Sequence, residues 1–195
     1  SGTFTIEDNA VFTMTNNNTT SGTGNNASSF PLFKNYDFAT TSTVSYAGNT
    51  AQDIFAVPAD GYGNLEITNN TKTADGSFAV QGDLTVGAST TLYYGTNTIT
   101  VKGNISNSNV INGSAGDPDT GKILIASGLT DRTILATINN TTFGNIEIDT
   151  DSSTTTLYNS AATGNTLISG YLKINNGTLE IEEFKGTNAA LTIND

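Results

Sequence analysis

The sequence predicts an all-β protein whose short strands wind into a solenoid, a parallel β-helix, and three observations carry that expectation. Apolar and polar residues alternate in short stretches from one end to the other, the period-2 pattern of half-buried strands. Pairs of Gly with Asn or Asp punctuate these stretches, at Gly63-Asn64, Gly82-Asp83, Gly103-Asn104, Asn112-Gly113, Gly144-Asn145 and Asn176-Gly177. Such residues tolerate the positive φ of a sharp corner. Short units also recur: GNLEI at 63–67 returns as GNIEI at 144–148, and QGDLTV at 81–86 as SGYLKI at 169–174. An antiparallel β-sandwich is the alternative, since turn signals every 8–12 residues, roughly the sandwich spacing, give nearly the same text. Internal repetition favours the solenoid.

Composition narrows what such a fold can do. The 195 residues include 35 Thr, 25 Asn, 20 Gly and 16 Ser, about half the chain, so any core must be thin. There is no His and no Cys, which removes imidazole and thiolate metal sites, His-based triads and thiol nucleophiles. Seven basic residues against 18 acidic ones give a net charge of -11. The basic residues are scattered singly, so neither a nucleic-acid backbone nor an anionic membrane surface is an expected partner. No apolar run approaches the roughly 18 residues of a spanning helix, and no membrane insertion is expected.

Three regions follow in order. In residues 1–43, Phe4 with Ile6 and Phe12 with Met14 read as two strands, NNNTTSGTGNNASS at 16–29 as a polar loop, and FPLFKNYDF at 30–38 as an aromatic cluster. Phe30, Phe33, Tyr36 and Phe38 are read first as a cap over the open end of the core; an exposed platform for sugar rings is the functional alternative. Residues 44–122 form a first solenoid repeat, with inward pairs Phe55 and Val57, Leu65 and Ile67, Phe78 and Val80, Leu84 and Val86, and Ile99 and Val101. Strand starts 6 to 13 residues apart give rungs of three strands and roughly 20 residues, within the range of solenoid repeats. Residues 123–195 form a second, diverged repeat, carried by Ile123 and Ile125, Ile134, Ala136 and Ile138, Ile146 and Ile148, Leu172 and Ile174, Leu179 and Ile181, and Leu191 and Ile193. Stacked Asn at the corners is expected to form hydrogen-bonded ladders.

Residues 44–109 carry a family resemblance. Tyr62-Gly63-Asn64-Leu65, Lys72-Thr73, Gly82-Asp83-Leu84-Thr85-Val86 and Ile99-Thr100-Val101-Lys102-Gly103-Asn104 follow one another as successive steps, led by Gly48, Gln52 and Ile54. This run resembles the repeat of very large secreted surface proteins of Bacteroidetes, which are similar to filamentous-haemagglutinin-type β-helix adhesins. The resemblance implies a right-handed parallel β-helix, export to the cell surface, and adhesive or scaffolding use. Surface glycans or other cells are then the expected partners, with homotypic assembly into a filament or sheath as a rival use.

Candidate sites are few. Asp117 and Asp119, in GDPDTGK at 116–122, present two carboxylates and a nearby carbonyl that suit Ca²⁺, the one cofactor considered; position 128 is Gly where a complete EF-hand loop has its bidentate Glu. Glu66 and Glu147 fall at equivalent positions of the two repeats and are expected on a solvated strand face. No catalytic residue is assigned, and the protein is read as non-enzymatic, because glycoside cleavage on a β-helix needs converging acids.

Overall fold

The computed structural model describes residues 2–15, 30–58, 60–114, 120–128, 131–137, 141–160, 165–184 and 191–193, with backbone only at 183–184 and 191–193. In chain order the strands are β1 (Thr3–Ile6), β2 (Val11–Met14), β3 (Asn35–Phe38), β4 (Thr43–Tyr46), β5 (Gln52–Ile54), β6 (Asn64–Ile67), β7 (Asn70–Ala74), β8 (Phe78–Val80), β9 (Leu84–Val86) and β10 (Thr90–Tyr93). They continue as β11 (Thr98–Val101), β12 (Ile105–Asn107), β13 (Val110–Asn112), β14 (Lys122–Ala126), β15 (Asp131–Ala136), β16 (Thr141–Phe143), β17 (Ile146–Asn159), β18 (Thr166–Ile168), β19 (Leu172–Phe184) and β20 (Leu191–Ile193). Every strand pairing among the described residues is parallel, which excludes the antiparallel sandwich and gives a β-solenoid.

Three faces make up the coil. The second face is the longest stack, β2-β4-β6-β9-β12-β15 followed by the C-terminal half of β17 and of β19. The third face runs β5-β7-β10-β13-β16-β18-β20. The first face starts with β1-β3, thins to a single bridge between Tyr62 and Val80, and continues as β8-β11-β14 and the N-terminal halves of β17 and β19. One coil therefore takes three strands, as the spacing predicts. Stacked partners such as Leu65 and Leu84 lie 19 residues apart and Ile105 and Ile134 lie 29 apart, the longer step including chain added between Ile125 and Ile134, nine residues apart where their partners Val101 and Ile105 are four apart.

The core consists of aliphatic columns. On the second face Val44, Leu65, Leu84, Ile105, Ile134 and Leu157 sit one above another, all buried. On the first face Phe78, Ile99, Ile123 and Ile146 do the same. Alternation in the sequence produces these columns because successive side chains of a strand point to opposite sides, and a rung only 4.7–4.9 Å, or about one methyl layer, away repeats the choice.

Corners follow from glycine. Gly82 N–H donates to Gly63 O at 2.7 Å and Gly103 N–H to Gly82 O at 3.0 Å, so these residues stack backbone on backbone. A Cβ on Gly82 would fall on Asn64 Oδ1, and one on Gly103 on Gly82 O, both well inside van der Waals distance. β17 turns its corner without glycine: Asp151 takes a φ of 53°, while Thr150 and Ser153 exchange side-chain to carbonyl bonds of 3.1 and 2.7 Å across the bend.

Two details depart from the sequence reading. The two copies of the repeat lie on different faces: GNLEI belongs to β6 on the second face, whereas GNIEI leads into β17 on the first. The pair Phe55 and Val57 falls outside any strand, although Val57 is buried in the core and Phe55 packs against it; Gln52 and Ile54 of β5 point inward as well. The boundaries at 43/44 and 122/123 fall within β4 and at the first residue of β14.

Candidate functional site

The corner between the first and second faces carries a side-chain ladder. Asn64 Oδ1 accepts the Asp83 N–H at 2.8 Å, Asp83 Oδ1 accepts the Asn104 N–H at 2.7 Å and its Nδ2 at 3.1 Å, and Asn104 Oδ1 accepts the Thr133 N–H at 2.9 Å. Each side chain thus satisfies the backbone of the coil above it, as the Gly-Asn and Gly-Asp pairs predict. Beside this ladder, on the outward side of the second face, lies a depression of about 410 Å³. One wall is the row Val11, Thr43, Asn64 and Asp83; the other is formed by Glu66 and Thr85, which are stacked partners. Among the described residues, the Thr43 and Thr85 hydroxyls and the Glu66 carboxylate make no hydrogen bond.

Glu147 is placed quite differently from Glu66. It lies on the first face, buried, with Lys122 Nζ on one carboxylate oxygen and Asn175 Nδ2 on the other, and Lys173 Nζ 3.7 Å from the latter. The Lys122 hydrogen bond is the largest cause that holds its carboxyl below the usual range, against the opposing effect of burial. The expected equivalence of Glu66 and Glu147 therefore fails, because the repeat is shifted by one face, and the two carboxylates do not converge.

The aromatic cluster is interior over much of its extent. Phe30 is buried, stacked on Phe55 at 5.0 Å between centroids and on Tyr46 at 6.4 Å, with Phe4, Phe12 and Phe38 edge-on around it. Phe38 is buried and Tyr36 half-buried; the Tyr36 hydroxyl accepts from Phe33 N–H at 3.1 Å and donates to Pro31 O at 3.0 Å. Phe33, 43% exposed and stacked on Phe4, remains at the surface beside Leu32. Asp117 and Asp119 lie outside the described residues, as does the 16–29 loop. Among the described residues no group of three or more Asp, Glu, His or Cys is arranged to hold a metal.

Two buried polar devices escaped the sequence reading. Lys72 occupies an inward position of β7 and is fully buried, its ammonium donating to the carbonyls of Gly48 at 3.0 Å, Thr50 at 3.4 Å and Asn69. Burial lowers its pKa to about 8. Nearby, Phe55 N–H donates to Tyr46 Oη at 2.9 Å, the Tyr46 and Tyr62 hydroxyls lie 2.9 Å apart, and Tyr62 O–H donates to Phe55 O at 2.5 Å. With the Tyr62 proton committed to Phe55, Tyr46 is the donor between the two hydroxyls, and the ring closes on one residue's backbone. Desolvation raises both phenols above their ordinary range. No strand is assigned among the described residues between β5 and β6, and the tyrosines supply the hydrogen bonds to the Phe55 backbone. In the sequence Tyr62 opens the Tyr62-Gly63-Asn64-Leu65 step, and nothing in the pattern links it to Tyr46.

These features define an all-β parallel solenoid with a polar exterior. No family model, curated protein or solved structure matches the chain.

Proposed function

We propose that the chain is a non-enzymatic segment of an extracellular surface protein, a solenoid stalk whose polar faces and loops serve attachment to glycans or other cells. The observation that carries this reading is the two-sided use of each strand. Inward positions build aliphatic columns, while the outward row of the second face is polar over five rungs, Thr13, Ser45, Glu66, Thr85 and Ser106, with Ser45 buried, and turns apolar at Leu135 and Tyr158. A stiff array of weak polar contacts suits attachment through multiplicity. Glu66 and Glu147, the carboxylates at matching positions of the repeat, lie on different faces and so do not form an acid pair with each other. The test is retention of the labelled chain, as monomer and as engineered tetramer, on glycan-coated surfaces and on cells. Tetramers are expected to bind on the order of a hundredfold more tightly; tetramers that are retained nowhere refute the reading.

Assembly into a filament is the second reading. It is favoured by Ile174 and Ile181 of β19, which continue the columns of Ile148 and Leu157 yet are 49% and 52% exposed. Concentration-dependent light scattering, with and without calcium to probe Asp117 and Asp119, is expected to show growth under this reading. A constant monomer size rejects it.

A further inference from the structure

Resting on the attachment reading, we propose that the depression on the second face is a subsite for a neutral, linear oligosaccharide lying along the stacking axis. Its walls come from four successive strands, β2, β4, β6 and β9, so it extends over three strand spacings, about 14 Å. That length accommodates a short run of linked sugar rings and exceeds a single ring. A volume of about 410 Å³ falls within the usual range for small-molecule sites.

The chemistry of the walls selects the ligand. The ladder has already engaged Asn64 Oδ1 and Asp83 Oδ1 and so fixes that wall. Thr43, Thr85 and Glu66 remain unengaged among the described residues, offering two hydroxyls and a carboxylate to a ligand rich in O–H donors. Val11, 64% exposed at one end, supplies an apolar surface for the C–H side of a ring. Neither Lys nor Arg is among the described lining residues, and the net charge of -11 opposes a polyanion. A peptide added as an extra strand is disfavoured because β4, β6 and β9 are each paired on both sides. Along β4, β6 and β9 the groove therefore offers side chains and no free strand edge; only β2, at its end, is paired on one side alone among the described residues.

The experiment titrates the chain with neutral β-linked gluco-, xylo- and manno-oligosaccharides from monomer to hexamer, alongside oligogalacturonate and oligolysine. Affinity for at least one neutral series is expected to rise with length up to about three or four rings and then level off. Glu66→Ala is expected to weaken it about tenfold, and Thr85→Arg, which fills the groove from an outward position, to abolish it. Thr91→Ala on the third face serves as control and leaves binding unchanged; melting curves verify that all three variants fold. Neutral sugars bound equally well by the groove variants overturn the subsite while leaving the attachment reading intact. Tighter binding of oligogalacturonate or oligolysine overturns the ligand class, and binding of no neutral series overturns the proposal; cell retention tests attachment separately.

Discussion

Tyr62→Phe removes a single oxygen from the core, and the hydroxyl ring allows its cost to be worked out group by group. Tyr62 donates to Phe55 O and accepts from Tyr46, so its loss leaves the Phe55 carbonyl without its donor and the Tyr46 hydroxyl without its acceptor. Each orphaned group costs about 1–3 kcal/mol, which gives about 2–6 kcal/mol in all, with little change in volume. Tyr46→Phe orphans only the Phe55 N–H, because Tyr62 keeps its bond to the carbonyl; that variant should lose about 1–3 kcal/mol. In the double variant the Phe55 N–H and carbonyl stay unpaired, but no hydroxyl remains stranded. The double loss is therefore smaller than the sum of the singles by about 1–3 kcal/mol, the cost of the stranded Tyr46 hydroxyl. Urea denaturation of the four proteins measures this directly, provided the slope m is unchanged. Additive losses, or a Tyr62→Phe penalty below about 0.5 kcal/mol, would refute the closed ring.

Glycine corners, alkaline pH and the buried carboxylate each give a further test. Gly82→Ala pushes a methyl into Asn64 Oδ1 and should cost about 1–3 kcal/mol by overpacking, read as a lower urea midpoint; an unchanged midpoint contradicts backbone stacking at that corner. Lys72 has its folded pKa lowered to about 8 from 10.5, so between those values the unfolded chain holds more protons and stability rises with pH, by at most about 1.4 kcal/mol per unit. Tyr46 and Tyr62 have raised folded pKa values, so above their ordinary value of 10.0 the unfolded chain ionises first and stability falls. Melting temperatures should accordingly rise above about pH 8 and peak near pH 10, and Lys72→Met should remove the rising limb; a flat profile in the parent protein rejects the buried ammonium. Glu147 has a folded pKa depressed below 4.5, so its contribution is present above that value and lost as pH falls through the folded one. Glu147→Gln should therefore flatten acid unfolding, measured as the midpoint of a pH titration followed by circular dichroism.

Much of the fold was legible in one dimension. Leu65, Leu84 and Ile105 announce inward positions because alternation with polar neighbours directly encodes the two sides of a strand. The preceding Gly63-Asn64, Gly82-Asp83 and Gly103-Asn104 announce corners and ladders, because the stacked backbone leaves no room for a Cβ and the next side chain reaches the coil above. Third-face strands were harder to read: their inward column begins Gln52, Lys72, Leu92, and a lysine amid threonines looks like a solvated residue. Its burial depends on carbonyls 22 and 24 residues away in sequence, at Thr50 and Gly48, which only the coiling brings beneath it.

By itself the sequence determined that the chain is all β, that its strands are short and two-sided, and that its chemistry excludes imidazole and thiolate. Only the tertiary structure decided which face each strand joins. A period of two marks inside from outside but is blind to the direction a strand faces around the coil, so GNLEI and GNIEI look equivalent and yet occupy different sides. That placement separates Glu66 from Glu147, burying one among lysines and leaving the other in the wall of an open groove, because contacts between coils are set by cumulative rung length and not by local pattern.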